Sequence, residues 1–96
     1  MKVRVKGFLT IRDAMGGNGD LVLELDDPTI ISVLLELSDR HGPDLRNLIF
    51  DLDTGQVRSI NPILLNGRHY RYLSKGLDTQ LNDGDFLSIF PPTMGG

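Results

Sequence analysis

One stretch of the chain repeats its apolar residues at helical spacing, and the segments on either side of it alternate instead. Ile30, Val33, Leu34 and Leu37 share one face, Ile31 and Leu35 widen the stripe, and Glu36, Asp39 and Arg40 lie largely outside it. Asp26-Asp27-Pro28-Thr29 ahead of the stripe offers a capping side chain and places acids near the positive end of the helix dipole. Gly42-Pro43 then stops the helix. A lone amphipathic helix cannot bury its own apolar face, so it must lie across a sheet. That reading is preferred here to a membrane or partner helix.

The flanking segments supply the strands. In Lys2 to Phe8, Val3 and Val5 face one way while Arg4, Lys6 and Phe8 face the other. Leu9 to Met15 has room for one helical turn, and Gly16-Gly17-Asn18-Gly19 reads as a flexible turn. Leu21, Leu23 and Leu25 alternate with Val22 and Glu24, which predicts a second strand in a hairpin with the first. After the helix, Leu45, Leu48, Ile49 and Phe50 form a short apolar cluster that plugs one end of the core. Pro62 to Leu65 is strand-like, Asn66-Gly67 is a strong hairpin signal, and Arg68 to Leu73 reads as the return arm. Ser74 to Asp78 connects to Leu81. Asn82-Asp83-Gly84-Asp85 is turn chemistry, leading to a last strand, Phe86 to Phe90, with Leu87 and Ile89 on one face and Phe86, Ser88 and Phe90 on the other. The expected fold is α+β: a mixed sheet of four to five strands with one main helix packed across it. The first and last strands run parallel through a right-handed crossover.

Composition removes several function classes. Ninety-six residues suffice for one core. No apolar run is long enough to span a bilayer and no signal-peptide pattern is visible, so the expectation is a cytoplasmic protein without membrane partners. A net charge of −3 leaves no basic footprint for nucleic acid. The absence of cysteine removes disulfides, thiol nucleophiles and thiolate metal ligands together. The glycine cluster at 16–19 is no phosphate loop, because a strand follows it rather than a helix with Lys and Ser/Thr. Asp53-Thr54-Gly55 matches the triplet of aspartic proteases, which need two such aspartates to share a proton at a dimer axis. Gln56-Val57-Arg58 follows it where that family usually has Ala, and a polar turn within the Asp51–Ser59 loop is the better reading. His41 and His69 show no metal-ligand spacing and read as solvated or structural. The chain is expected to bind no cofactor or metal of its own.

The end of the chain is the remaining chemical feature. Pro91-Pro92 ends the last strand, because proline cannot donate to a sheet ladder and holds the chain extended. Thr93, Met94, Gly95 and Gly96 follow with no apolar pattern to dock them. Glycine loses more entropy on ordering than any other residue, so a fraying tail gains nothing from it. A tail that enters a narrow tunnel does gain, because attack at a carbonyl without a neighbouring Cβ is unobstructed. With 11 glycines in 96 residues, chance places two at the end about once in a hundred sequences.

Asp83-Gly84-Asp85, the apolar strand, Phe90-Pro91-Pro92, two variable residues and Gly95-Gly96 together resemble the end of the MoaD/ThiS sulfur carriers, which are ubiquitin-like β-grasp proteins. Ile11-Arg12-Asp13, Leu65-Asn66-Gly67-Arg68 and Gly76-Leu77-Asp78-Thr79 also sit where MoaD-like members carry similar residues. The length of the Asp51–Ser59 loop favours that type, or the archaeal modifiers, over the compact ThiS type. The resemblance implies a β-grasp domain over residues 1–92 and a flexible Gly-Gly tail over 93–96. It also implies that Gly96 is the reacting carboxylate, adenylated with ATP by a ubiquitin-activating-type adenylyltransferase and converted by a sulfur donor to a thiocarboxylate. Gly95, Met94 and Thr93 would form the inserted tail, and the molybdopterin synthase large subunit would receive the sulfur. With no cysteine, a persulfide on this chain cannot hold it. Phe8, Phe86 and Phe90 share the outer strand face by parity and, with Pro91 and Pro92, are the expected docking surface, since aromatic anchors on a charged face mark binding sites. Conjugation to lysine as a modifier, or sulfur delivery for cysteine, thiamine or tRNA, would use the same end. A plain binding module would use none of it.

Overall fold

Val3 and Val5 are fully buried while Arg4 and Lys6 are exposed, so the first alternation folds as the period of two requires. In the computed structural model, which describes residues 1–92, this strand is β1 (Lys2–Gly7). It is followed by α1 (Thr10–Ala14), β2 (Asp20–Glu24), α2 (Ile30–His41), α3 (Pro43–Ile49), β3 (Ile63–Leu65), β4 (Arg68–His69) and β5 (Phe86–Ile89). The tail expected at Thr93–Gly96 lies outside the described residues. The sheet order is β2-β1-β5-β3-β4, with β5 parallel to β1 and antiparallel to β3. The last strand therefore inserts at the centre beside the first, which is the ubiquitin-like β-grasp layout. Ile30, Val33, Leu34 and Leu37 of α2 bury against Val3, Val5, Leu23, Ile63, Leu87 and Ile89 of the sheet.

The start of α2 is capped by Thr29, whose hydroxyl accepts from the Ser32 N–H at 3.2 Å while the Ser32 hydroxyl accepts from the Thr29 N–H at 2.8 Å. This reciprocal pair stabilises a helix by about 1 kcal/mol. Asp26 and Asp27 precede the cap, and the first turn holds no acid, so the dipole contribution expected from them is displaced outward. The stripe is also narrower than the sequence suggests, since Leu35 is 46% exposed.

Two further elements differ from expectation. The apolar cluster after Gly42 is a helix, α3, with Pro43 in its first turn and Leu45 and Ile49 buried at i, i+4 spacing. Pro43 thus ends one helix by starting the next. The strands β1 and β2 pair antiparallel from Lys2↔Glu24 to Lys6↔Asp20, with the helical turn α1 in their connection, as the sequence suggests. The return arm after Asn66-Gly67 is only two residues long. There the His69 Nδ1 accepts from the Arg71 N–H at 3.1 Å and turns the chain into a single 3₁₀ turn, Tyr70–Tyr72, which buries Tyr70. The Asn66-Gly67 turn itself is as read: φ is 51° and 86°, the paired positive values of a type I′ hairpin. Asp51 Oδ1 accepts from the N–H groups of Asp53 and Thr54, which makes the Asp-Thr-Gly triplet a polar turn.

Candidate functional site

The parallel register pairs Gly7 with Ile89, so the next residues along the two strands, Phe8 and Phe90, come side by side. Their rings stack with centroids 4.3 Å apart and 4° between planes. The Phe8 N–H donates to the Ile89 carbonyl at 3.1 Å and the Phe90 N–H to the Pro62 carbonyl at 3.0 Å. The pair is thus held from the backbone on both sides. Both rings are half-buried on the face opposite the helices. Pro91 and Pro92, also half-buried, continue directly from this stack, and neither has an N–H with which to prolong the ladder.

Phe86 occupies the same face but not the same spot. It pairs in register with Arg4, four residues before Phe90, which is about 13 Å along a strand. The Arg4 guanidinium lies 5.7 Å from the Phe86 ring centroid, and Lys6 Nζ lies 5.3 Å from that of Phe8. Phe86 and Phe8 are therefore each partnered by a cation from β1, an attraction between positive charge and the ring face. Arg4 also grips Asp20 with two bonds, Nε to Oδ1 at 3.1 Å and an NH2 nitrogen to Oδ2 at 2.8 Å. Hydrogen bonding to the guanidinium holds the Asp20 carboxyl below the usual carboxylate range and raises Arg4 in turn. Ser88 and Leu64 pair across β5 and β3 between the two aromatic positions.

The outer face thus joins Phe8, Phe90, Pro91 and Pro92 at one end of the sheet and places Phe86 toward the other. Gly96, Gly95, Met94 and Thr93 are outside the described residues. Arg4 and Lys6 belong to this face and were not singled out from sequence, although their alternation with Val3 and Val5 carries that information. Leu9, 64% exposed beside Phe8, was also missed, and nothing in its local pattern marks it. Among the described residues, no group of three His, Asp or Glu side chains is placed to hold a metal ion, and no helix is long and apolar enough to cross a membrane.

Sheet order and helix packing together define a ubiquitin-like β-grasp protein. The sequence profile of the ThiS family matches residues 8–96, and the chain belongs to that family. Over the full length of both chains it is 34% identical to small archaeal modifier protein 3 of Haloferax volcanii. Small archaeal modifier protein 1 of Methanosarcina acetivorans superposes with a TM-score of 0.84 at 36% identity, covering 99% of this chain and 96% of that one. A provisionally assigned molybdopterin converting factor subunit 1 from Pyrococcus furiosus gives 0.74 at 28% identity, covering 97% and 99%.

Proposed function

We propose that this chain is a sulfur carrier whose C-terminal carboxylate, on Gly96, is activated and charged by partner enzymes. The carboxylate oxygen attacks the α-phosphorus of ATP on a ubiquitin-activating-type adenylyltransferase, pyrophosphate leaves, and an acyl-adenylate forms. Hydrosulfide released by a sulfur donor then attacks the carbonyl carbon, AMP departs with the electrons of the broken C–O bond, and loss of the proton leaves a thiocarboxylate. AMP is a far better leaving group than oxide, so the first step makes the second possible. The chain supplies the reacting group and a docking face, while the ATP site and the acids and bases belong to the partners. The observation that supports this reading is the Phe8–Phe90 stack at the root of Pro91-Pro92, a half-buried aromatic pair beside a stiff spacer in a chain of the ThiS family.

The receiver of the sulfur is proposed to be the molybdopterin synthase large subunit. The Phe90-Pro91-Pro92 spacer, the long Asp51–Ser59 loop and the likeness to the Pyrococcus furiosus protein support this. A second reading is favoured by the full-length likeness to small archaeal modifier protein 3: conjugation of Gly96 to lysine, with the amine taking the place of the sulfur nucleophile. Delivery of sulfur for cysteine, thiamine or tRNA would share the activation step. The test gives the thiocarboxylated protein to a synthase large subunit with the pterin precursor, and in parallel to a lysate able to conjugate. Dithiolene product is the expected outcome. Lysine adducts through Gly96 without dithiolene would replace the cofactor reading with the modifier one.

A further inference from the structure

Among the described residues, three that are not glycine hold a positive φ: Leu9, Asp27 and Asn66. Asp and Asn visit this region readily because their short polar side chains bond nearby backbone. Leucine has no such group. Leu9 sits at φ 54° and ψ −125°, and the Ile11 N–H donates to the Phe8 carbonyl at 3.0 Å across it. This is the first central position of a II′-type turn, a place dominated by glycine. Backbone strain of this kind persists only where the surroundings impose it, and it gathers at binding sites. Here the buried Ile11 and Met15 lock α1 in place and so impose the turn. The leucine gains no core packing from it, since the residue is 64% exposed and lies outside the core cluster. Glycine would serve the turn better and expose no apolar surface.

The position of this residue says what it faces. Leu9 follows Phe8, whose ring stacks on Phe90, and Phe90 leads through Pro91-Pro92 to the last four residues. Four residues fully extended reach at most about 14 Å. An enzyme that acts on the Gly96 carboxylate must therefore bring its surface within that distance of Pro92, which follows directly on the end of the sheet that carries Phe8, Leu9 and Phe90. We infer that Leu9 is a docking contact of its own, an apolar knob for a pocket on the adenylyltransferase beside the aromatic pair. The inference rests on the proposed activation of Gly96.

The test is ATP–pyrophosphate exchange by the ubiquitin-activating-type adenylyltransferase, with the full chain as the varied substrate. Leu9→Gly relieves the backbone and removes the knob, so its Tm is expected at or above that of the unaltered protein. Its KM is expected to rise about tenfold, the size of a moderate interface anchor, with kcat unchanged. Leu9→Asn, which also tolerates the turn, should behave alike, and Leu9→Met should restore KM. An unchanged KM in both Leu9→Gly and Leu9→Asn overturns the inference while leaving the activation of Gly96 standing. Exchange that proceeds equally well after deletion of Gly96, or no exchange with the unaltered chain, overturns the activation itself and this inference with it.

Discussion

Gly19 shows how closely the backbone packs beneath α1. The Gly7 N–H donates to the Gly19 carbonyl at 2.6 Å, and a Cβ on Gly19 would run into the Gly7 carbonyl oxygen and lie 2.7 Å from Arg12 Cγ. Gly19→Ala is therefore expected to destabilise the fold by about 1–3 kcal/mol, the usual range for overpacking. Urea unfolding reads this directly, and an unmoved midpoint would contradict it. Gly16 and Gly17 differ, having positive φ and open space around them, so the cluster that reads as one flexible turn serves two needs. A glycine in the sequence does not say whether conformation or room requires it. His69 makes a second case at this scale. Burial first, then the nearby Arg71 charge, hold its imidazole below the usual histidine value. The folded state thus prefers the neutral ring, whose Nδ1 accepts from Arg71. The unfolded chain takes the proton first, so stability present above about pH 6.5 is lost as pH falls through the lower folded value. His69→Asn keeps an acceptor with nothing to protonate, and its Tm should vary less between about pH 7 and pH 5. Equal slopes for the two proteins would show that another group titrates.

At the scale of elements, the outer face of β1 and β5 carries the candidate interface. Phe90 is half-buried in a stack with Phe8, a pair worth about 0.5–1.5 kcal/mol. Phe90→Glu should therefore lower Tm by only several degrees, while binding to the adenylyltransferase weakens about thirtyfold or more, as for an interface anchor. Isothermal titration beside thermal melting separates the two effects. A large fall in Tm with unchanged affinity would mean that Phe90 serves the sheet alone. Strand parity shows which side of the sheet these aromatics occupy, because side chains alternate along any strand. Parity says nothing of their neighbours. Phe86 has the same parity as Phe90 yet lies about 13 Å along the strand, beneath Arg4. Helix α3 was legible in principle, since Pro43, Leu45 and Ile49 follow helical rules, but seven residues are too few for periodicity to stand out. The short β4 was not legible: Arg68 to Leu73 alternates like a strand, and the turn into Tyr70–Tyr72 depends on a side-chain bond from His69 and on burial of Tyr70.

In the whole molecule, β5 is nearly last in the chain and central in the sheet. Without it no strand pairing joins the β2-β1 and β3-β4 pairs, and two-stranded pairs are at best marginal in water. Deleting residues 86–96 is expected to abolish cooperative unfolding. Deleting 93–96 is expected to leave Tm unchanged and to abolish adenylation, since the buried core of the described residues ends at Ile89. Circular dichroism melts and pyrophosphate release test both, and unfolding of the shorter truncation would refute the division. The sequence by itself determined the local periods, the main helix and its stop, the Asn66-Gly67 hairpin, the prolines that end the last strand and the Gly-Gly end. Each of these depends on side-chain direction and backbone preference within a few residues. Only the tertiary structure decided that Phe8 stacks on Phe90, that Gly19 presses on Gly7, and that Leu9 is held in a glycine conformation. Those outcomes follow from strand pairing and register between segments far apart in the chain, which no local preference specifies.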